Sequence, residues 1–315
     1  MRVSVVTPAF NVASFIASAI ESLRAQSHAD WEMLVVDDGS SDGTMGVVAG
    51  FADARIRLIR QANTGVSAAR NRGMAAAAGA ALVFLDADDW LAPDALARLV
   101  AALQAAPEAV AAYGAYATVP EEAQPGAAPL QVKRGPFPAG DVTEALLRQN
   151  WLANGGHLLV RRDAVQMAGP FRADIRYGED WEYWIRLSLL GGFATVPGDD
   201  PLLFVRQRRG SAYHRMAHDP AAFLPAMEAI FGNPALAAKL GPVRVAALRR
   251  RAEAENDWII GRELIRHGQA RRGLPHLRRS LAAAPSAKRA LMLAAAHALP
   301  LLPPRLHGPF AAYRA

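Results

Sequence analysis

The segment at residues 81–90, ALVFLDADDW, constrains the fold more than any other part of the chain. Its first five residues are apolar and predict a strand that is buried on both faces, as in parallel sheets covered by helices. Three carboxylates follow within four positions, at Asp86, Asp88 and Asp89. Because ligands of open α/β sheets bind at the carboxyl ends of the strands, this acidic group lies where a binding site is expected. The alternative is an acidic turn in which Asp89 or Asp94 caps the following helix.

Neighbouring carboxylates repel one another, and a divalent cation among them would relieve that repulsion. The chain has no glycine-rich phosphate loop of the Gly-x-x-x-x-Gly-Lys type, so bound phosphate groups would need such a cation, held by Asp86 and Asp88. Basic side chains would supply further positive charge, and the chain offers Arg70, Arg206 and Arg208 for this role.

A second acidic pair, Asp37 and Asp38, ends the apolar run at residues 31–36. If both apolar runs are parallel strands, their acidic ends lie on the same edge of one sheet, and a polar ligand fits between them. The alternative is a strand-to-helix turn capped by Ser41 or Asp42.

Hydrophobic periodicity predicts strands and helices that alternate along the first two thirds of the chain. The predicted strands are at residues 2–7, 31–36, 55–61, 81–85, 110–118, 157–160, 193–196 and 202–205. The predicted helices are at residues 12–23, 45–51, 65–78, 93–105, 141–149 and 179–190, and residues 119–140 are predicted to form a loop. This alternation indicates an α/β fold with a Rossmann-like, mostly parallel sheet.

Only helices are predicted after residue 220, at residues 220–231, 243–267, 270–283 and 287–299. We therefore expect an α/β domain at residues 1–215 and an all-helical C-terminal appendage at residues 216–315. The spacing of glycine, leucine and alanine in the appendage resembles one helical hairpin of the tetratricopeptide type.

Charge and cysteine content restrict the location and the partners of the chain. Cysteine is absent, which excludes disulfides and thiolate chemistry and fits a cytoplasmic protein. The net charge of +6 is concentrated at residues 244–289, which contain twelve arginines or lysines and four acidic residues. These basic residues recur around helices without interleaved aromatic residues, so we expect no nucleic-acid partner.

We expect no membrane-spanning segment, because no uninterrupted apolar run reaches 18 residues. The basic region and the apolar run at residues 290–302 predict peripheral contact with the inner face of an anionic membrane. The alternative is a solvated basic helical bundle.

A third acidic pair, Glu179 and Asp180, follows Gly178 at the predicted start of an aromatic-rich helix. Aromatic faces are common where sugar rings or bases stack, which favours a binding site. The alternative is compensation of the helix dipole, which contributes roughly 0.3–1 kcal/mol. In either case we expect the positive end of the dipole to lower the pKa of Asp180 and keep it ionised at neutral pH.

Five segments together carry a family resemblance. They are VSVVTPAFN at residues 3–11, VVDDGSSDGT at 35–44, NTGVSAARNRG at 63–73, LDADD at 85–89 and GEDW at 178–181. In this order they resemble the inverting glycosyltransferases of family 2, which have the GT-A fold. The resemblance spans residues 3–215 and leaves the helical appendage outside it.

The resemblance implies a UDP-linked sugar donor and a hydroxyl acceptor on a glycan or a lipid-linked molecule. It assigns these residues to the nucleotide-sugar donor: Pro8, Ala9, Phe10, Asp38, Arg70, Asp86 and Ala87. Among them, Arg70 would lie near the base or phosphate and Asp86 would face the ribose. It also implies that Asp88 holds Mn²⁺ or Mg²⁺, that His214 is a further candidate metal ligand, and that Asp180 is the general base.

The sequence departs from the processive polysaccharide synthases of this family. Their Gln-x-x-Arg-Trp signature is absent, since residues 207–211 read QRRGS without the tryptophan. We therefore expect addition of a single sugar. Two other functions stay open: a nucleotidyltransferase, although residues 8–13 lack its glycine-rich basic loop, and a non-catalytic sugar-nucleotide-binding protein that interacts through its helices.

Overall fold

The structure is a computed structural model that describes residues 1–208, 219–266 and 268–298. It contains two compact units. The first comprises Met1–Leu146 and Asn150–Arg208, and the second contains Leu147–Gln149 and the helices that follow residue 219. The predicted boundary at residue 215 lies outside the described residues.

All strands of the described chain belong to the first unit. They are β1 (Val3–Ala9), β2 (Trp31–Asp37), β3 (Ile56–Arg60), β4 (Ala81–Phe84), β5 (Trp90–Leu91), β6 (Ala109–Tyr113), β7 (Tyr116–Pro120), β8 (Gln131–Lys133), β9 (Leu158–Arg161), β10 (Gly192–Thr195) and β11 (Leu203–Gln207). The helices between them are α1 (Ile16–Arg24), α2 (Thr44–Ala49), α3 (Val66–Ala76), α4 (Ala95–Ala105), α5 (Thr143–Arg148), α6 (Arg162–Ala168) and α7 (Glu179–Leu190). A short 3₁₀ helix, Gly155–His157, precedes β9.

Seven strands form the central sheet in the order β10-β6-β9-β4-β1-β2-β3. Strands β4, β1, β2 and β3 are mutually parallel, whereas β9 runs antiparallel to its neighbours β4 and β6. Every residue of β2 and β4 is buried, as expected of strands covered on both faces. The predicted mostly parallel α/β sheet is therefore confirmed, with β9 as its reversed strand.

The prediction of one strand at residues 110–118 is wrong. The chain forms β6 and β7, which belong to different sheets, with Gly114 between them. A Cβ atom at Gly114 would lie 2.8 Å from Leu202 Cδ1, so only glycine allows the chain to pass this close to Leu202. The apolar run at residues 110–118 is therefore divided between two sheets at a contact with a residue distant in sequence.

A second sheet has the strand order β5-β11-β7-β8. Its strands correct the loop predicted at residues 119–140, because β7 continues to Pro120 and β8 lies within that range. Strand β5 and helix α6 are also not predicted. The antiparallel pair of β11 with β5 matches Phe204 with Trp90, directly after the acidic segment. The end of β11 is thereby brought to the end of β4.

The acidic ends of β2 and β4 meet at one edge of the central sheet, as predicted. Strand β1 lies between them, with Ala9 opposite Asp37 on β2 and Val6 opposite Phe84 on β4. Behind β4, the ring of Phe84 contacts Phe171 edge-on at 5.1 Å between centroids, and Phe171 stacks on Tyr183 of α7 at 3.9 Å. These aromatic contacts fix the first turns of α7 against β4.

The second unit contains α8 (Leu224–Phe231), α9 (Pro234–Leu240), α10 (Pro242–Arg266), α11 (Ala270–Ala283) and α12 (Ala287–Ala298). Helices α10 and α11 form the predicted hairpin. A Cβ atom at Gly261 would lie 2.7 Å from Leu277 Cδ2, and one at Gly273 would lie 2.7 Å from the carbonyl oxygen of Gly261. The two glycines therefore permit close helix packing around Trp258 and Leu277.

No single helix in the described ranges is long and apolar enough to cross a membrane. By length and composition alone, two helical segments, Ala221–Phe231 and Pro234–Leu240, are long and apolar enough when taken together, although the chain bends between them.

We predict that Gly155→Ala destabilises the first unit by roughly 1–3 kcal/mol, because overpacking forces the backbone apart. The added Cβ would lie 2.6 Å from Phe84 Cβ and 2.9 Å from the Phe84 carbonyl oxygen. Thermal denaturation measures the effect. The control is Gly46→Ala in α2, where a Cβ meets nothing within 4 Å. Equal melting temperatures for the two variants would contradict the packing at Phe84.

Candidate functional site

Asp86, the first carboxylate after β4, is paired with a buried arginine of α3. Arg70 Nη2 donates to Asp86 Oδ1 at 3.0 Å, and Arg70 Nη1 donates to Glu179 Oε1 at 2.9 Å. The guanidinium also lies 5.4 Å from the centroid of the Phe171 ring. Arg70 is 5% exposed, and through these two carboxylates it joins the end of β4 to the start of α7.

Asp88 is paired with the residue that follows β11. Arg208 Nη1 donates to Asp88 Oδ2 at 2.9 Å, and the guanidinium lies 4.4 Å from the centroid of the Phe15 ring. The Arg208 side chain is 30% exposed and the Asp88 side chain is 25% exposed. Burial and the nearby charge of Asp86 raise the pKa of Asp88.

Asp89 is a buried structural carboxylate. Its Oδ2 accepts from Asn154 Nδ2 at 2.6 Å, and its Oδ1 accepts from the backbone N–H of Arg206 at 2.8 Å. Burial, followed by the charges of Asp88 and Asp86, raises its pKa well above the ordinary value. The alternative of a helix cap is not supported, because Asp94 occupies the N-cap position of α4 without a side-chain capping bond.

Arg206 holds the backbone of the acidic segment. Its Nε donates to the carbonyl oxygen of Asp88 at 2.9 Å, and its Nη1 donates to the carbonyl oxygens of Glu121 and Ala123. The guanidinium stacks on Trp90, 4.8 Å from the ring centroid. Arg206 is 6% exposed, so it stabilises the turn from within.

Asp180 lies in the first turn of α7, which begins after Gly178 in a left-handed conformation with φ of 81°. Its Oδ1 accepts from the backbone N–H of Trp181 at 2.6 Å. The expectation of a lowered pKa is wrong, because burial and the adjacent charge of Glu179 raise the pKa of Asp180 to about 7. Arg70 opposes this shift, since its positive charge favours the ionised carboxylate.

Asp38 holds the segment that leads into α3. Its carboxylate accepts from Gln61 Nε2 at 2.8 Å, from the backbone N–H of Thr64 at 2.9 Å and from that of Gly65 at 2.8 Å. Asp38 is only 4% exposed, so its carboxylate is occupied by these internal bonds. They hold the loop between β3 and α3 in place.

The turn interpretation of the second acidic segment holds for Asp42. Its Oδ1 accepts from the backbone N–H of Thr44 at 3.0 Å, and its Oδ2 accepts from that of Ala13 at 3.0 Å. Asp42 therefore connects the start of α2 to the loop after β1.

The remaining predicted donor residues differ in exposure. Phe10 is 48% exposed, whereas Ala9 and Ala87 are 2% and 3% exposed and belong to the hydrophobic core. Pro8 is half-buried. Only the backbone of the two alanines can therefore face a ligand, while the Phe10 ring is accessible. His214 lies outside the described residues.

The structure joins residues that the sequence names separately. Asp86, Arg70 and Glu179 form one chain of ion pairs, and Asp88 and Arg208 form another. Sequence reasoning misses Asn154, which no local pattern distinguishes. It places Glu179 with Asp180 in an acidic pair at a binding site or a helix start, and it does not predict the ion pair of Glu179 with Arg70.

Comparison with protein families decides the classification. Residues 4–166, more than half of the chain, match the family model described as glycosyl transferase family 2. The chain belongs to this family. The resemblance inferred from the five segments is thereby confirmed.

This family 2 glycosyltransferase resembles curated proteins over part of their length. It is 41% identical over 92 residues to the UDP-Glc:alpha-D-GlcNAc-diphosphoundecaprenol beta-1,3-glucosyltransferase WfgD of Escherichia coli, which covers 29% of this chain and 36% of that protein. The chain matches 33%, 29% and 27% of the length of three further relatives, which are named as uncharacterized or putative glycosyltransferases.

Two solved structures share the fold of this glycosyltransferase. Residues 1–349 of TarS from S. aureus give a TM-score of 0.65 at 18% identity, covering 90% of this chain and 81% of that chain. The mannosyltransferase PcManGT of Pyrobaculum calidifontis, solved with GDP-Man and Mn²⁺, gives 0.60 at 22% identity, covering 99% and 84%. These likenesses confirm the predicted GT-A fold.

We predict that Asp38→Asn lowers the stability of the first unit by roughly 1–3 kcal/mol, because an amide oxygen cannot satisfy all the N–H donors that the carboxylate holds. The melting temperature measures this loss. Asp30→Asn is the control, since the Asp30 side chain is 60% exposed. A melting temperature of Asp38→Asn equal to that of the control would show that the loop does not depend on this carboxylate.

Proposed function

We propose that this family 2 glycosyltransferase transfers one sugar from a nucleotide-diphosphate donor to a hydroxyl acceptor, with inversion at the anomeric carbon. The observation that carries the proposal is the pair of carboxylate groups on either side of Arg70. Asp86, with Asp88 two residues on, lies on one side, and Glu179, with Asp180 next to it, lies on the other. Inverting transfer needs these two elements: charge compensation at the leaving group and a separate base.

The donor in this proposal is UDP-linked. WfgD is named for UDP-Glc, and the S. aureus TarS fragment has also been solved with UDP, at a TM-score of 0.61 and 19% identity. The exposed ring of Phe10 and the backbone at the ends of β1 and β2 are the surfaces proposed to receive the nucleoside. The loop after β1 contains neither glycine nor a basic residue, which disfavours a nucleotidyltransferase.

The proposed base is Asp180. Glu179 is committed to Arg70 at 2.9 Å, while the bond at Asp180 comes from a backbone N–H of its own helix turn. A pKa of about 7 suits a general base at neutral pH better than the low value expected from the helix dipole. Asp180 would take the acceptor hydroxyl proton as the acceptor oxygen bonds to the anomeric carbon and the bond to the donor diphosphate breaks.

The acidic segment fits a cation that arrives together with the donor. In the described part of the chain, no group of three or more histidine, cysteine, aspartate or glutamate side chains could hold a metal ion. Mg²⁺ and related ions instead bind through one or two carboxylates together with substrate phosphates. Asp88, 25% exposed, supports this arrangement with Mn²⁺ or Mg²⁺. A bound cation would stabilise negative charge on the leaving diphosphate.

We also propose that the second unit contacts an anionic membrane at its periphery, where a lipid-linked acceptor would be found. Part of its positive charge is used internally, since Arg289 pairs with Glu255 at 2.5 Å. Helix α11 nevertheless buries Leu277 and exposes Arg271 and Arg278, so it presents a basic face. Such a face is attracted to anionic lipid head groups.

We predict that Asp180→Asn lowers sugar transfer by roughly 10²–10⁴-fold, because the amide cannot accept the acceptor proton. The affinity for UDP in the presence of Mn²⁺ should change little. UDP release from UDP-sugars, measured with a panel of glycan and lipid-linked acceptors, checks the first statement, and calorimetry checks the second. The wild-type rate should also fall about tenfold per pH unit below pH 7, where Asp180 becomes protonated.

Glu179→Gln is the control for this assignment. Removing the charge of Glu179 lowers the pKa of Asp180, so the acid limb of the pH profile should move to lower pH while transfer continues. If Glu179→Gln abolished transfer and Asp180→Asn preserved it, the base would be Glu179. If both variants retained transfer, the helix-dipole interpretation would replace the catalytic one.

We predict that the protein floats with liposomes that contain phosphatidylglycerol and not with pure phosphatidylcholine. Arg271→Gln combined with Arg278→Gln should weaken flotation, because these side chains supply the basic face of α11. Arg2→Gln combined with Arg24→Gln, in the first unit, removes equal charge as the control. Equal recovery with both lipids, or with neither, would favour the solvated helical bundle.

A further inference from the structure

Arg208 differs from the other two arginines at the acidic segment. Arg70 and Arg206 are 5% and 6% exposed, and each donates to more than one internal acceptor. The Arg208 side chain is 30% exposed, and its hydrogen bond is to a single carboxylate oxygen, Asp88 Oδ2. Each of the three arginines has one buried guanidinium nitrogen without a hydrogen-bond partner: Nε of Arg70, Nη2 of Arg206 and Nε of Arg208. Arg208 differs because its guanidinium is partly exposed and, among the described residues, binds a single acceptor. It is therefore the arginine that a ligand can reach.

Arg208 occupies one oxygen of the carboxylate that is proposed to hold the cation. A carboxylate binds a divalent ion through its oxygen lone pairs, and the guanidinium already uses one oxygen of Asp88. Two positive charges on one carboxylate also repel each other at a few ångströms. Arg208 and a cation therefore compete for Asp88.

The backbone at Asp88 is held by Arg206 and not by Arg208. Arg206 holds the Asp88 carbonyl oxygen at 2.9 Å, and the Arg206 backbone N–H binds the neighbouring Asp89 carboxylate. Arg208 instead stacks on Phe15, 4.4 Å from the ring centroid. A stacked guanidinium can turn in the plane of the ring, so its N–H groups can change partner without loss of the stack.

We infer that Arg208 exchanges partners during donor binding: it neutralises Asp88 in the free protein, yields that carboxylate to the divalent cation, and then binds the donor diphosphate. This inference rests on the proposed function. Guanidinium groups bind phosphate through paired N–H donors, and Arg208 has such donors available beside Asp88. Cation binding then depends on the donor. The free-energy cost of breaking the Asp88–Arg208 ion pair is offset only when the donor phosphate binds the released guanidinium.

The test compares Arg208→Gln with the wild-type protein in titrations with MnCl₂ alone, following free Mn²⁺ by electron paramagnetic resonance. Without the competing guanidinium, Arg208→Gln should bind Mn²⁺ more tightly, by up to about fivefold, the effect of removing a partly exposed ion pair. With saturating Mn²⁺, the same variant should bind UDP about tenfold more weakly, because a charged hydrogen bond to phosphate is lost. The two effects have opposite signs, which loss of folding cannot produce.

Arg55→Gln is the matched control. Arg55 also pairs with an aspartate, Asp53, at 2.8 Å and stacks on an aromatic ring, Trp31, at 3.8 Å. It precedes β3 and so lies at the opposite edge of the sheet from the acidic segment. Its substitution should leave both affinities unchanged. Asp88→Asn combined with Arg208→Gln should lose the gain in Mn²⁺ affinity.

Equal Mn²⁺ affinity of Arg208→Gln and wild type would overturn the competition for Asp88. Unchanged UDP affinity would overturn the transfer of the arginine to the diphosphate. Either result, with sugar transfer intact in the wild type, leaves the proposed function standing. A wild-type protein that neither binds UDP with Mn²⁺ nor consumes any UDP-sugar would instead contradict the proposed function itself.

Discussion

Three carboxylates lie within four residues at the end of a buried strand: Asp86, Asp88 and Asp89. Each needs a partner, because an unpaired charge is costly to bury. Every partner comes from a distant part of the chain. Arg70 lies on α3, Asn154 precedes β9, and the Arg206 backbone N–H and the Arg208 guanidinium come from β11 and the residue after it. The pairing of β11 with β5 and the packing of α3 bring these partners to the three carboxylates.

The same ion pairs connect the two parts of the proposed reaction. Arg70 contacts Asp86, which lies on the donor side in the proposal, and Glu179, which precedes the proposed base. The charge of Glu179 raises the pKa of Asp180, and Arg70 limits that rise. A change of charge at Asp86 should therefore shift the pKa of Asp180 through electrostatics alone, with no movement of the backbone.

Local pattern predicts those parts of the fold that depend on local physics. The alternating apolar runs identify β1 to β4, and the carboxylates that follow β2 and β4 indicate the correct edge of the sheet. The division of residues 110–118 into β6 and β7 depends on the approach of Gly114 to Leu202, which no sequence window contains. Sequence reasoning assigns a cation to the acidic segment, whereas in the structure Arg70 and Arg208 already pair with two of its carboxylates. The raised pKa of Asp180 is unpredictable for a similar reason, since burial, its largest cause, depends on residues from distant parts of the chain.

The proposed function requires above all that the end of β4 receive a divalent cation together with a nucleoside diphosphate. Crystals grown with UDP and MnCl₂, with data collected at the manganese absorption edge, test it directly. We expect an anomalous peak within coordination distance of Asp88, about 2.0–2.6 Å from its oxygen, with the UDP phosphates as further ligands. UDP bound at this edge of the sheet without an anomalous peak beside Asp88, and with Arg208 still paired to that carboxylate, would contradict it.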